Sequence, residues 1–145
     1  MRLRVAVDIA APPARVWDEI ESIERHVDWM RDARRIAFTG PRTRGVNTEF
    51  ECLTVVGPFR MRDRMRVTEW EPGRAIGIEH TGVVAGSGRF TLRKTHRGHT
   101  RFEWAERLRF PWWMGGPLGA RVAKPILQRT WRANLRRLKA ACEDA

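Results

Sequence analysis

The chain has 145 residues, 42% of them apolar, and carries a formal net charge of +11. That length suits one domain, residues 1–145, with a real core, and the apolar share excludes a disordered chain. The longest uncharged stretches are far too short for a transmembrane helix.

Twenty-eight basic residues face 17 acidic ones. Such a field favours anionic partners: nucleic acid, anionic lipid or acidic ligands. Yet 25 of the 28 are arginine, a skew that codon usage in a GC-rich genome also produces. Met1 to Ala10 alternates charged and apolar residues and has no uninterrupted apolar run, so no signal peptide is expected and the expected location is the cytoplasm. Cys52 and Cys142 lie far apart in no metal-like spacing. Two buried free thiols are expected in preference to a disulfide. There is no C-x-x-C or H-E-x-x-H pattern, and neither metal nor cofactor is called for.

In chain order, Leu3, Val5, Val7 and Ile9 alternate with Arg2, Arg4, Ala6 and Asp8, the period of a half-buried strand. Ala11-Pro12-Pro13 ends it and opens a helix, with Val16, Trp17, Ile20 and Ile23 on its stripe. Ser22 is placed to cap a second short helix, from Ile23 to about Trp29. Ile36 and Phe38 predict a short second strand, followed by a loop from Thr39 to Val46. A third strand runs from Thr48 to Val56 and a fourth from Phe59 to Trp70, joined at Gly57-Pro58. On the fourth, Phe59, Met61, Asp63, Met65 and Val67 share one face and Arg60, Arg62, Arg64 and Arg66 the other. Arg74 to His80 predicts a fifth strand, with Ile76, Ile78 and His80 together. Gly82 to Gly88 reads as a small-residue loop without packing commitment. Phe90 and Leu92 mark a sixth strand; Phe102, Trp104, Glu106, Leu108 and Phe110 mark a seventh.

The last element is a long amphipathic helix from Pro117 to Cys142. Leu118, Val122, Ile126, Leu127, Trp131, Leu135, Leu138 and Cys142 follow helical spacing, and Pro125 inside the run should bend it. A wide apolar helix face needs a sheet to cover, and short turns between the later strands make that sheet mostly antiparallel.

The opening segment from Val7 to Trp17, with Ile9-Ala10-Ala11-Pro12-Pro13 and Val16-Trp17, resembles the START-like (SRPBCC) superfamily of polyketide cyclase/dehydrase and lipid-transport proteins. Asp28-Trp29-Met30, Glu69 to Arg74 and Gly88 to Leu92 look like further parts of the same pattern, which spans essentially the whole chain. The resemblance implies an α+β helix-grip fold: a curved seven-stranded antiparallel sheet around a long C-terminal helix, with two short helices after the first strand. It also implies a cavity between sheet and helix that takes apolar small molecules. Some relatives catalyse ring closure or aromatisation and many only bind, so fold alone does not decide the activity.

Inward parity then nominates a ligand-cavity lining: Phe50, Met61, Met65, Ile78, Phe90, Trp104 and Leu108 from strands, Val122 and Ile126 from the helix. Asp63, Glu106 and His80 fall on the same inward faces. Charged groups in an apolar pocket are costly unless paired, and perturbed groups in a cleft are site candidates. These three are the candidate proton-transfer groups, or anchors for a ligand's polar end; pairing of a carboxylate with a rim arginine is the plainer alternative. His96 and His99 flank the Arg97-Gly98 turn and lack a third metal ligand. Trp112 and Trp113, beside Gly115 and Gly116, could form a portal or touch a membrane, or fold back into the core. The arginine stripe on the fourth strand should be offset by Glu49 and Glu51, and without interleaved aromatics it disfavours nucleic acid. The leading expectation is binding of a hydrophobic, lipid-like or polyketide-like molecule. The alternatives are a cyclase, aromatase or dehydratase using the same cavity, and an interaction module using the basic surface against a membrane or ribosomal RNA. The residues do not specify an oligomeric state.

Overall fold

Seven alternating segments become seven strands in the computed structural model, which describes residues 1–144. They are β1 (Arg2–Ile9), β2 (Ala33–Phe38), β3 (Glu49–Val56), β4 (Phe59–Glu71), β5 (Ala75–Thr81), β6 (Ala85–Lys94) and β7 (Thr100–Arg109). They form one sheet of order β1-β7-β6-β5-β4-β3-β2, antiparallel at every step. α1 (Pro13–Ile20) and a 3-10 segment (Ile23–Asp28) carry the chain from one edge of the sheet, β1, to the other, β2. α2 (Gly116–Glu143) closes the fold and continues through Pro125. This is the expected α+β helix-grip arrangement.

Parity decides which side of each strand is buried. Leu3, Val5 and Ile9 are buried on β1 while Arg2 and Arg4 are exposed, so one sheet face is apolar and one is wet. α1 starts at Pro13, where a proline costs no helical hydrogen bond, and buries Val16, Trp17 and Ile20. On the C-terminal half of α2 the buried apolar set is Trp131, Leu135, Leu138 and Cys142, one stripe at i+3 and i+4 spacing seated on β1 and β7. The fully buried Asn134 locks this half of the helix. Its Nδ2 donates to Asp32 Oδ1 at 2.7 Å, and its Oδ1 accepts from the Arg31 backbone N–H at 3.1 Å. Cys52 and Cys142 are buried free thiols. Among the described residues no helix is long and apolar enough to cross a membrane.

Three local features depart from simple alternation. The stretch from Gly82 to Gly88 is not all loop: β6 begins at Ala85, pairs with β5 and β7 from its first residue, and Val84 before it is buried. Glycines hide a strand from a pattern search because they add no alternating side chain. β4 shifts register between Val67 and Glu69, so Trp70 turns inward and meets Trp17 edge-on, with ring centres 5.2 Å apart. A bulge of this kind reverses parity for every later residue. β2 also starts earlier than Ile36, with a register shift between Ala33 and Arg35.

Leu135 has 1% of its surface exposed and Val122 has 65%. Leu135→Ala is expected to cost about 2–5 kcal/mol in a urea titration, as large-to-small core changes do. Leu135→Asp is expected to prevent folding, and Val122→Ala to shift stability by less than about 0.5 kcal/mol.

Candidate functional site

The N-terminal half of α2 stands away from the strands that its C-terminal half covers, and a cavity of about 950 Å³ opens between it and the sheet. β3, β4 and β5 contribute Phe50, Met61, Met65 and Ile78 to its wall. β6 and β7 contribute Phe90, Trp104 and Leu108; α2 contributes Val122 and Ile126. The wall is predominantly apolar, the character of a small-molecule site. A second depression, about 630 Å³, opens on the wet face of the sheet beside Arg2, Glu79 and Arg107 and lacks such a wall.

Asp63, His80 and Glu106 come together on this cavity from three different strands. His80 sits between the carboxylates: Nδ1 donates to Asp63 Oδ2 at 3.0 Å and Nε2 to Glu106 Oε2 at 2.6 Å. Glu106 Oε1 accepts the indole N–H of Trp104 at 3.1 Å. All three charged residues are buried. Burial pushes the His80 pKa down, but hydrogen bonds to Asp63 and Glu106, and the attraction of their charges, outweigh it and raise the value from 6.5 to about 10. His80 is therefore an imidazolium at neutral pH. Among the described residues the carboxylates pair with His80 and with no rim arginine.

β6 separates β5 from β7, so Glu106 must reach across it to touch His80. Gly88 makes that reach feasible. It is paired with Glu106 on one side and Ile78 on the other, and a Cβ there would stand 2.3 Å from Glu106 Oε1. The neighbouring Gly86, opposite His80, has φ +145° and lies where a Cβ would meet the Arg107 carbonyl oxygen. The small residues of β6 are thus the groove that the charged side chains occupy.

Residues 1–143 match a family described as polyketide cyclase / dehydrase and lipid transport. The chain belongs to that family. Its fold is similar to that of a protein from Thermus thermophilus (TM-score 0.80, 16% identity, 98% of this chain and 97% of that one). It is similar to the Zhui aromatase/cyclase from a Streptomyces species (TM-score 0.77, 17% identity, 99% and 93%). It is likewise similar to a START superfamily protein from Mycobacterium smegmatis (TM-score 0.77, 11% identity, 98% and 97%). Identities this low carry the fold and no further property. No match is found among curated proteins.

This cyclase/dehydrase and lipid-transport family member has further polar groups at the cavity that parity did not nominate. His26 lines it, with Nε2 donating to the Ile20 carbonyl at 2.7 Å, and burial lowers its pKa to about 4. Because Nε2–H is spent on a carbonyl, Nδ1 of the neutral ring is an acceptor. Asp32 also lines the cavity, its two oxygens taken by Asn134 and by Trp131 Nε1 at 3.2 Å. His26 and Asp32 sit in the helix pair and a turn, where no alternation announces a direction. Gly88 could have been found by asking what lies opposite an inward glutamate.

Leu118, Val122 and Ile126 line the cavity yet remain largely exposed, so this half of the helix is one jamb of an open entrance. Trp112 and Trp113 do not fold back into the core: they are 87% and 62% exposed, and Trp113 lines the cavity while Trp112 stands outside it. The arginine stripe is only partly offset as expected. Arg62 approaches Glu51 at 3.6 Å, whereas Arg66 pairs with Glu79 at 2.8 Å and not with Glu49. His96 lies on the exposed turn with His99 half-buried beside it, and neither lines the cavity. Both His80 nitrogens are occupied by carboxylates, which leaves no imidazole lone pair there for a metal.

Stability should peak near pH 6.5 as far as these two histidines decide it. Between pH 6.5 and about 10 the folded chain holds a proton on His80 that the unfolded chain releases, so stability falls as pH rises. Between about 4 and 6.5 the unfolded chain protonates His26 and the folded chain does not, so stability falls as pH drops. Denaturant titrations across pH 6.5–10 are expected to show a downward slope that His80→Gln flattens. Gly88→Ala, which displaces the Glu106 carboxylate, is expected to reduce the same slope.

Proposed function

We propose that this chain binds a hydrophobic small molecule, lipid-like or polyketide-like, between its sheet and the N-terminal half of α2. The observation that carries the reading is the apolar enclosure of about 950 Å³, large enough for a drug- or lipid-sized ligand. Membership of a family whose description includes lipid transport supports it. The Met61 and Met65 side chains adapt to irregular apolar shapes. Asp63, His80 and Glu106 orient the ligand's polar end, and Trp112 and Trp113 flank its entry. Exposed Phe59, Trp113 and Leu118 at the mouth, with Arg60 and Arg62 also on its lining, suit an anionic membrane surface as the place of loading.

Native mass spectrometry of the freshly purified chain is expected to show an adduct that organic extraction removes. Val122→Trp, placed at the exposed entrance, is expected to weaken uptake of the neutral fluorophore Nile red about tenfold, comparable to the ~1–3 kcal/mol of overpacking, with an unchanged urea midpoint. Wild-type protein that neither carries an adduct nor takes up Nile red would sink the reading.

A second reading, a cyclase, aromatase or dehydratase in the same cavity, is favoured by one observation. Two carboxylates on the cavity wall, Asp63 and Glu106, oriented by one imidazole between them, are groups that can take a proton from a bound ligand and return it. Deuterium exchange at the central carbon of a bound aryl 1,3-diketone separates the two. An enzyme is expected to accelerate it over buffer and lose the acceleration in His80→Gln; a binder leaves the rate unchanged.

A further inference from the structure

We infer that the end of the sheet where the cavity opens is a membrane-docking face: Phe59, Trp112 and an outward stripe of α2 enter the headgroup layer of an anionic bilayer, and Arg60, Arg121 and Arg129 hold its phosphates. The inference rests on the binding reading above and names the partner from which that cavity is filled.

Connectivity gathers the elements. In an antiparallel sheet every second connection falls at the same end. The β3–β4 turn, the β5–β6 turn and the link from β7 to α2 share one end, and residues of all three line the cavity. Large apolar side chains are left in water there: Phe59 is 65% exposed, Val83 45% and Trp112 87%, one from each connection. α2 adds Leu118, Val122 and Ile126, exposed at i+4 spacing. Among the described residues Val46 is the one exposed large apolar side chain outside these connections and α2. Ala120 and Trp131 on the same helix are buried, so this part of α2 is apolar both toward the core and toward solvent. Exposed apolar surface gathered at one place is the mark of an interaction site.

Charge names the partner. From Leu53 to Arg62, from Thr81 to Val84 and from Arg107 to Cys142 the chain has no Asp or Glu. Those segments carry Arg60, Arg109, Arg121, Lys124 and Arg129, and none of the five forms an ion pair among the described residues. Arg121 and Arg129 each stand three residues after an exposed apolar residue, Leu118 and Ile126, which puts them on the same helical face. Aromatic and aliphatic side chains interleaved with unpaired cations make an interfacial surface: the rings take the headgroup boundary and the guanidinium groups the phosphates. A second copy meeting this face would bring cations to cations with no carboxylate to receive them. An RNA would leave the Leu118–Ile126 stripe in water. The rim is also continuous with the cavity wall, because Phe59, Trp113 and Leu118 belong to both, so an apolar guest passes from bilayer to cavity without crossing water.

Co-sedimentation of the full-length chain with vesicles tests this, using phosphatidylcholine alone and phosphatidylcholine mixed in equal parts with phosphatidylglycerol. Binding is expected on the mixed vesicles, weaker as salt rises from about 0.1 to about 0.5 M. Trp112→Ala is expected to weaken it about tenfold, the effect of withdrawing one indole ring from an apolar layer. Arg121→Gln with Arg129→Gln is expected to weaken it about twentyfold. Arg93→Gln with Lys94→Gln removes the same charge from the far end of β6, where both side chains are exposed, and is expected to change it less than about twofold. Equal losses from the two double variants overturn the inference, because net charge and no particular face then does the binding. Vesicle binding that Trp112→Ala leaves unchanged also overturns it. So does a wild type that ignores the mixed vesicles while taking up Nile red in solution, and that result leaves the cavity reading intact; self-association in place of vesicle binding gives the face to a second copy. Salt-sensitive vesicle binding that Trp112→Ala weakens, without Nile red uptake, sustains the docking face and overturns the cavity reading alone.

Discussion

Two stacked indoles hold the architecture together where it divides. Trp104 on β7 and Trp131 on α2 lie face to face, with ring centres 4.3 Å apart and planes inclined by 12°. This is where the sheet and the helix meet at the floor of the cavity. Each ring also spends its N–H on a carboxylate: Trp104 on Glu106 and Trp131 on Asp32. The stack therefore fixes the helix against the sheet and orients one carboxylate from each side of the junction. Beyond it toward the C-terminus, Leu135, Leu138 and Cys142 are core. Before it, Val122 and Ile126 are entrance.

That division explains how one helix serves two purposes without conflict. A seated helix needs close packing, and a ligand site needs space; no one segment can have both. Asn134 adds to the seated half a polar lock that tolerates no slip along the axis, since its side chain is fully buried and engages the chain entering β2 at two points. The free half can then stand off the sheet, because the far half cannot move. The family's description joins cyclases, dehydrases and lipid carriers. A scaffold anchored at one end and open at the other accommodates such variety by changes confined to the open end.

The strands, their antiparallel order and the long helix were legible because alternation and helical spacing are local. β6 escaped in part because Ala85, Gly86, Ser87 and Gly88 have too little side chain to alternate. Trp70 escaped because a bulge two residues earlier is a backbone event with no composition of its own. Parity put Asp63, His80 and Glu106 on inward faces, but not their partners: the choice of His80 over an arginine depends on Gly88, a residue on another strand that clears the path. His26 and Asp32 were invisible for a related reason. Each is held by a backbone carbonyl or a side chain that only the fold brings near.

The cavity contains two histidines frozen in opposite states. His26 stays neutral down to about pH 4, and His80 stays charged up to about pH 10. Neither changes charge across the whole interval in which histidines ordinarily act as switches. The imidazole contribution to the cavity's field is consequently constant over that interval, as though built from permanent dipoles and fixed ions. Neither imidazole then supplies a pH signal near neutrality, so a weakly basic or acidic ligand would carry its own release signal into a container that has none at its histidines.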